Sequence, residues 1–211
     1  VRFEQFGDLA AKDFVARLEG NRLESARRHG KHLLAQLARD GWLTMHFGMT
    51  GAVAYFDGGG ERPDYAQLLV EFDNGHSLAY ISRRKLGWVS LVASPEEYIG
   101  ERELGPDALS LTEKQFLELA QTGGGELKSW LMNQSRIAGI GNVYSDEILF
   151  QARLHPKQPL DKLEDKDLRA LHKAMRRVLK EAIKARADPE RMPSDFLLPN
   201  RNKQGRCPGC G

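Results

Sequence analysis

The hydrophobic pattern of the chain changes its period near residue 94, and this change constrains the fold more than any other feature of the sequence. Before it, short apolar runs alternate with turn signals, of which Asp73-Asn74-Gly75 between two β-like runs is the clearest. After it, apolar residues recur at helical spacing. Repeated hairpins without long helices between them predict an antiparallel sandwich or barrel, here followed by a helical half, and hence an α+β fold.

The two halves contain the following predicted elements. A helix is predicted over residues 8–19, and strands over residues 33–35, 42–47, 51–56, 67–72, 77–82 and 87–92. Further helices are predicted over residues 110–122, 126–133, 142–152 and 162–187, with a loop over residues 188–206. Ser110 and Glu113 match the spacing of a capping box, so we expect them to begin the first helix of the second half.

Composition excludes several classes of protein. No apolar run reaches the roughly 20 residues that cross a bilayer, and no signal-peptide pattern opens the chain, so no membrane partner is expected. Cys207 and Cys210 are the two cysteines, which excludes a disulfide-stapled secreted fold and favours a reducing cytosol. The 31 Lys and Arg residues nearly balance the 29 Asp and Glu residues, so only the local distribution of charge is informative. A monomer is the expected state.

A glycine-rich turn lies between two of the predicted helices. Gly139 and Gly141 permit a tight turn, and the next helix begins at Asn142. Its free N–H groups and the positive end of its dipole would form an anion site, to which Asn142 could add a side-chain donor. The alternative is a plain corner between two helices.

Two basic segments and one methionine also lie at predicted turns. The segment Arg27–His32 could bind phosphate or could be a solvated hairpin. The segment Ser82–Leu86 places three cations beside an apolar residue, a combination that suits insertion into a DNA duplex. Met49 stands between two nearby glycines, which favours an exposed tip over a position in the core.

The cysteine pair allows two interpretations. A CxxC segment supplies two thiolates for tetrahedral zinc, although a closed structural site needs four ligands. The same spacing is found in redox pairs. No βαβ pattern surrounds Cys207 and Cys210, and a second CxxC beyond them would complete a zinc site.

Four motifs occur in this order along the chain: Arg27–Leu34, Leu43–Gly51, Leu104–Pro106 and Lys128–Pro156. Together they resemble the formamidopyrimidine-DNA glycosylase / endonuclease VIII family of helix–two-turn–helix DNA glycosylases. The resemblance implies an antiparallel β-sandwich domain, a helix–two-turn–helix domain and a truncated zinc-finger hairpin. We assign the sandwich to residues 1–93, a linker to 94–109, the helical domain to 110–190, and a loop with the first half of the zinc finger to 191–211.

The resemblance also implies an activity and a set of site residues. The expected activity is base-excision repair, in which an oxidised base is flipped out and removed and the abasic strand is nicked. The partner would be double-stranded DNA containing a damaged base or an abasic site, in the cytoplasm at the nucleoid if the source is bacterial or archaeal. By the resemblance, Lys31 and Asn142 would bind phosphates, and Met49, Arg84 and Leu86 would fill the gap left by the flipped nucleotide. Arg28, Gly139 and Gly141 would make further contacts with DNA. Lys128 and Glu147 would have supporting roles near the reaction.

The sequence departs from the family at the residues that perform the chemistry. The family uses an N-terminal proline as the amine that forms a Schiff base, followed by a glutamate, whereas this sequence begins with Val1. We therefore expect segments to be absent at both ends and the chain alone to be inactive, unless Lys31 or Lys128 supplies a substitute amine. Cys207 and Cys210 match half of the zinc finger, so structural zinc is expected to be incomplete or lost.

Two other functions remain as alternatives. A non-catalytic relative that binds lesions or particular DNA structures would keep the fold without the proline. A helix-turn-helix regulator would need polar base-reading residues on its recognition helix, but residues 142–152 are mostly apolar. The glycosylase is therefore the leading interpretation.

Overall fold

A computed structural model of the chain describes residues 2–3 and 11–211. The chain divides into two compact units, Val1–Arg102 and Glu103–Gly211. The division falls within residues 94–109, which were predicted to be a linker, and this segment also contains helix α2, Pro95–Glu101. Among the described helices, none is long and apolar enough to cross a membrane.

The described residues of the N-terminal unit form two four-stranded sheets, in which every pair of neighbouring strands is antiparallel. One sheet has the order β1-β6-β7-β5 and the other β2-β3-β4-β8. The predicted two-sheet antiparallel domain is therefore confirmed. The strands are β1 Arg2–Phe3, β2 Leu23–His29, β3 His32–Leu37, β4 Trp42–His46, β5 Ala52–Asp57, β6 Ala66–Glu71, β7 His76–Ile81 and β8 Trp88–Val92.

The core of this unit draws residues from both sheets and from helix α1, Ala11–Leu18. Leu43 of one sheet and Tyr80 of the other are fully buried in it, together with Phe14 of the helix. Alternate residues of a strand face one side of a sheet, so the inward faces of the two sheets bury one shared layer. Residues 8–10 of the predicted first helix lie outside the described residues.

Strand β2 was not predicted from the sequence. It pairs with β3 along its length, yet five consecutive residues, Glu24–Arg28, are exposed. An edge strand with no buried face shows no alternation of apolar and polar residues, which is the signal by which a strand is recognised. Its basic residues therefore form one edge of a sheet.

The C-terminal unit is helical. Its core contains Phe116, Leu131, Ile148, Leu171 and Val178, which come from four different helices. Helical spacing in the sequence predicted these elements because each helix buries one stripe of side chains. The helices are α3 Glu113–Gln121, α4 Leu127–Met132, α5 Asn142–Ala152, α6 Asp165–Lys184 and α7 Leu197–Asn200, with short 3-10 helices at Leu160–Lys162 and Pro189–Arg191.

Three details of the predicted helices are wrong. The capping box that begins α3 is formed by Thr112 and Gln115, whereas the Ser110 hydroxyl donates to the Asp107 carbonyl at 3.0 Å. Helix α6 begins after a 3-10 turn and ends before Arg186 and Ala187, which both have a left-handed backbone conformation. The predicted loop of residues 188–206 contains a 3-10 helix and α7, whose few residues give no periodic signal.

Candidate nucleic-acid interface

Lys31 lies at the tip of the hairpin that joins β2 to β3. His29 and His32 pair across the turn, so Gly30 and Lys31 are its two central residues. Arg28 donates to the Gly30 carbonyl at 2.7 Å, which places a second cation at the base of the turn. The Lys31 side chain is exposed, and partial desolvation by its neighbours lowers its pKa. The hairpin thus presents an ammonium group on a rigid support.

Two loops of the same unit are held together by the close approach of their backbones. A Cβ added to Gly48 would lie 2.7 Å from the carbonyl carbon of Leu86, and Gly48 has a φ of +61°. A Cβ added to Gly87 would lie 2.1 Å from the His46 carbonyl oxygen, which already accepts a hydrogen bond from the Tyr80 hydroxyl at 2.7 Å. Only residues without a side chain allow this contact.

The clamped loops bring the predicted gap-filling residues together. The Met49 side chain is 75% exposed and that of Leu86 is 47% exposed. Arg84 Nη1 lies 3.8 Å from the Met49 sulfur, and Arg84 itself is exposed. Two apolar side chains and one guanidinium therefore project from a single place on the surface, as the predicted insertion into a duplex requires.

A cluster of two histidines and two aromatic residues, which sequence reasoning missed, lies at the Lys31 end of the strands. This His–aromatic cluster consists of His32, His46, Trp88 and Tyr98. Trp88 Nε1 donates to the Tyr98 hydroxyl at 3.0 Å, and His32 Nδ1 lies 2.9 Å from the same hydroxyl. The His46 ring stacks on Trp88 with ring centres 4.1 Å apart. The sequence does show that His32 and His46 each lie close to a glycine, but no local pattern links either histidine to Tyr98.

Both histidines of the cluster are held neutral near pH 7. Desolvation is the largest cause that lowers the pKa of His32, to about 4, followed by the electrostatic effects of the neighbouring His46 ring, when it is protonated, and of Arg102. The pKa of His46 is also lowered, first by desolvation and then by Lys31 and Arg102. Gly48 donates its N–H to His46 Nδ1 at 3.2 Å, so the neutral ring carries its proton on Nε2. His46 therefore offers a hydrogen-bond donor.

The glycine turn of the C-terminal unit is stabilised by the side chain of Gln134. Its Oε1 accepts the N–H of Gly139 at 3.1 Å, and its Nε2 donates to the carbonyls of Met132 and Ile140. Helix α5 then begins at Asn142, and its N-cap residue is Gly141, which has no side chain to cap the helix. Asn142 is exposed. The structure thus provides the open helix N-terminus that the anion site requires.

Lys128 forms part of a charged group on the same unit. Its Nζ lies 2.5 Å from one carboxylate oxygen of Asp146, and Arg201 donates to the other oxygen at 3.4 Å. All three side chains are partly exposed. The Asp146 carboxylate fixes the position of the ammonium group, so Lys128 is an oriented cation.

Glu147 is fully buried and holds a segment of chain about 50 residues away. Its two carboxylate oxygens accept the N–H groups of Leu197 and Leu198 at 3.1 and 3.0 Å. Gln151 also donates to it at 3.1 Å. These bonds satisfy N–H groups at the start of α7, whose N-cap residue, Phe196, has no side-chain acceptor of its own. The structure thus gives Glu147 a clear packing role, and its part near the reaction stays a prediction.

Cys207 and Cys210 lie close together in a tight turn closed by the hydrogen bond from Gly211 N to the Cys207 carbonyl at 2.8 Å. The N–H of Gly209, that of Cys210 and the Cys210 thiol lower the pKa of the Cys207 thiol, in that order. Hydrogen bonding to Cys207 raises the pKa of Cys210. The pair offers two sulfur ligands, and within residues 2–3 and 11–211 no group of three or more His, Cys, Asp and Glu side chains could hold a metal.

Two sequence-family models match the chain and cover most of it. The model described as "Formamidopyrimidine-DNA glycosylase N-terminal domain" matches residues 2–89, and that described as "Formamidopyrimidine-DNA glycosylase H2TH domain" matches residues 104–193.

Known proteins resemble the chain in sequence and in structure. A formamidopyrimidine-DNA glycosylase of Arabidopsis thaliana is 34% identical over 93% of this chain, and one of Protochlamydia amoebophila is 32% identical over 94% of it. The chain spans 54% of the plant relative and 77% of the bacterial one. The Lactococcus lactis enzyme bound to DNA containing an abasic site has a TM-score of 0.76 at 27% identity, with 82% of this chain and 68% of that chain covered.

Proposed function

This chain belongs to the formamidopyrimidine-DNA glycosylase family, and we propose that it is the DNA-gripping part of a base-excision repair glycosylase with AP lyase activity. Its substrate would be duplex DNA that contains a damaged base or an abasic site. Similar solved structures are complexes with DNA that contains an abasic site or a carbocyclic 8-oxoguanine, which supports this choice.

The observation that carries the proposal is the contact between Met49 and Arg84. Covering the exposed Met49 side chain would remove apolar surface from water, which is favourable. Met49 and Leu86 lie on two loops whose backbones are in close contact, so the loops cannot separate easily. An apolar wedge with an adjacent guanidinium can enter a duplex, where the wedge replaces an extruded nucleotide and the cation bonds the remaining base or a phosphate. A solvated surface loop would need no such fixed arrangement.

The phosphate backbone would be held by separate contacts on each unit. On the N-terminal unit, Lys31 and Arg28 at the hairpin tip supply positive charge. On the C-terminal unit, the open N-terminus of α5 supplies N–H groups, and Asn142 adds a side-chain donor. Contacts of this kind position the protein without reading sequence, as an enzyme that searches for damage requires.

The chemical step belongs to the whole protein. Schiff-base formation requires an amine that attacks C1′ of the damaged nucleotide, and the family resemblance assigns it to an N-terminal proline. Lys128 and Glu147 would support the site, Lys128 as a cation oriented by Asp146. Zinc, if present, would be structural, with Cys207 and Cys210 as two of its four thiolate or imidazole ligands.

Binding measurements test the DNA-gripping role. We expect the 211-residue chain to bind a duplex with a tetrahydrofuran abasic analogue more tightly than the intact duplex, by fluorescence anisotropy. Met49→Ala should reduce this preference several-fold, whereas Val53→Ala, which removes an exposed apolar side chain from β5, should not. Equal affinity for the two duplexes, unchanged by Met49→Ala, would overturn the proposal.

Borohydride trapping tests the enzymatic part. The full-length protein, with its native N-terminus, should form a covalent adduct with a duplex that contains an abasic site, and blocking the N-terminal amine should abolish the adduct. Binding without an adduct would instead identify a non-catalytic relative that recognises damaged DNA.

A further inference from the structure

Arg102 lies on the surface of the His–aromatic cluster. Its guanidinium carbon is 4.5 Å from the centre of the Trp88 ring and 5.4 Å from that of Tyr98. The cluster is rigid because Tyr98 is buried and its hydroxyl is shared between Trp88 Nε1 and His32 Nδ1. Arg102 is therefore positioned by stacking, although it follows the last residue of α2 and is exposed.

Stacking leaves the hydrogen-bonding edge of a guanidinium available. Contact with an aromatic ring uses the face of the group, whereas its five N–H donors lie in the plane. Among the residues that the structure describes, no acceptor bonds the Arg102 side chain. Of the carboxylates on α2, Glu96 pairs with Arg27 at 2.8 Å and Glu97 accepts the N–H of Ala93 at 3.0 Å. Glu101, which directly precedes Arg102, is exposed and forms no ion pair with it in the described part of the chain.

Lys31 is a second cation close to the rings that Arg102 contacts. Both Arg102 and Lys31 act on His32 and His46, and the described groups that shift either imidazole include no carboxylate. His46 remains neutral and offers Nε2–H as a donor. Two cations and a neutral donor near the same two imidazole rings suit an anion with several acceptor oxygens.

We propose that Arg102 binds a phosphodiester of the DNA backbone, beside the phosphate assigned to Lys31. The inference rests on the proposed function, because it takes duplex DNA as the ligand. The rings of Trp88 and Tyr98 position the guanidinium in the absence of DNA, which reduces the conformational entropy that the side chain loses on binding. Arg102 thereby adds a contact with the backbone and none with the bases.

The salt dependence of binding separates this role from a structural one. For Arg102→Gln, the slope of log Kobs against log salt should be smaller by about one, with intact and abasic duplexes weakened by the same factor of roughly three to ten. Arg102→Lys keeps the charge but loses the planar stack, so it should retain the slope and bind more weakly than wild type.

Arg22→Gln is the matched control. Arg22 lies on the same unit at the opposite end of β2, where it is 80% exposed and pairs with Glu24. Its replacement removes the same charge and should leave the slope unchanged. Thermal unfolding of each variant measures its stability independently.

Several results would overturn the inference and leave the proposed function intact. One is an Arg102→Gln variant that keeps the wild-type salt slope and the wild-type affinity for DNA, even if its melting temperature falls, while Met49→Ala still reduces the preference for the abasic duplex. Another is an equal fall in slope for Arg22→Gln, since the effect would then reflect net charge alone. If Arg102→Gln does not fold, wild-type affinity of Arg102→Lys would likewise overturn the inference, because the stacked guanidinium would then not be needed. Failure of the wild-type chain to bind DNA would instead count against the proposed function itself.

Discussion

The carbonyl oxygen of His46 lies against Gly87 so closely that a Cβ on the glycine would stand 2.1 Å from it. The same Cβ would stand 2.2 Å from the Tyr80 hydroxyl, which donates to that carbonyl. This contact joins the end of β4 to the start of β8. Gly87 therefore helps, with Gly48, to hold the loops that carry Met49 and Leu86 in place, and neither position has room for a side chain.

Gly87→Ala should destabilise the N-terminal unit by about 2–4 kcal/mol, because the added methyl group must displace backbone atoms or break the Tyr80 hydrogen bond. Chemical denaturation followed by tryptophan fluorescence measures the change. The preference for an abasic duplex should fall as well, because the two loops separate.

Gly100→Ala provides the control for this substitution. Gly100 lies in α2, and a Cβ there would meet nothing within 4 Å. Alanine is favoured over glycine in a helix by about 1 kcal/mol, so this variant should be as stable as wild type or more so. Similar losses in both variants would contradict the close-contact explanation.

The free energy of unfolding should decrease as the pH falls from about 6.5 to about 4. The folded-state pKa of His32 is about 4, below the 6.5 of an exposed histidine, so in this interval the unfolded chain binds more protons than the folded one. Protonation of the unfolded chain then favours unfolding, and His32 contributes a loss of roughly 2 kcal/mol. Denaturation curves at pH 7, 5.5 and 4.5 measure it.

His32→Gln should flatten this pH dependence while lowering stability at pH 7, because glutamine does not titrate and packs less well beside Tyr98. His76→Gln changes an exposed histidine on β7 and should leave the curve unchanged. Parallel curves for wild type and His32→Gln would show that another group causes the loss.

Glu147→Gln should lower the stability of the C-terminal unit by about 2–3 kcal/mol. The amide has one acceptor where the carboxylate has two, so an NH2 group would face the N–H of Leu197 or Leu198. Amide hydrogen exchange at these two residues should accelerate in step with the loss.

Glu118→Gln changes an exposed glutamate that pairs with Lys114 at 3.9 Å, and we expect a change below about 0.5 kcal/mol. If Glu147→Gln left stability and exchange intact but abolished activity of the full-length protein, the role of Glu147 would lie in the reaction and the packing role would be wrong.

Leu86→Phe should strengthen binding to an abasic duplex roughly three- to tenfold. An aromatic ring can stack on a neighbouring base, whereas leucine only fills space. Because Leu86 is 47% exposed, stability should change by no more than about 0.5 kcal/mol. Fluorescence anisotropy with abasic and intact duplexes measures both affinities.

Val53→Phe introduces the same ring at an exposed position on β5 and should leave the affinity unchanged. A gain with Val53→Phe equal to that with Leu86→Phe would indicate general adhesion of exposed aromatic residues to DNA. No gain in either variant would count against Leu86 as a wedge.

The sequence alone determined the elements whose causes are local. The hairpin at Asn74-Gly75 and the start of α5 at Asn142 depend on residues within one turn of each other, and both formed where predicted. The motifs around Met49 and Gly139 also identified their loops. Backbone preference and hydrophobic period act over a few residues, so they can be detected in a single sequence.

The tertiary structure decided which of those residues touch each other. Glu147 accepts N–H groups from a helix 50 residues along the chain, and Tyr98 joins His32 to Trp88 across strands and a helix that are distant in sequence. Strand β2 was not predicted because it lies at the edge of its sheet with its side chains exposed, so its sequence shows no alternation of apolar and polar residues. Burial, hydrogen-bond partners and shifted pKa values arise from such long-range contacts, which no local pattern encodes. Only in the folded chain does the Arg102 guanidinium lie against the rings of Trp88 and Tyr98.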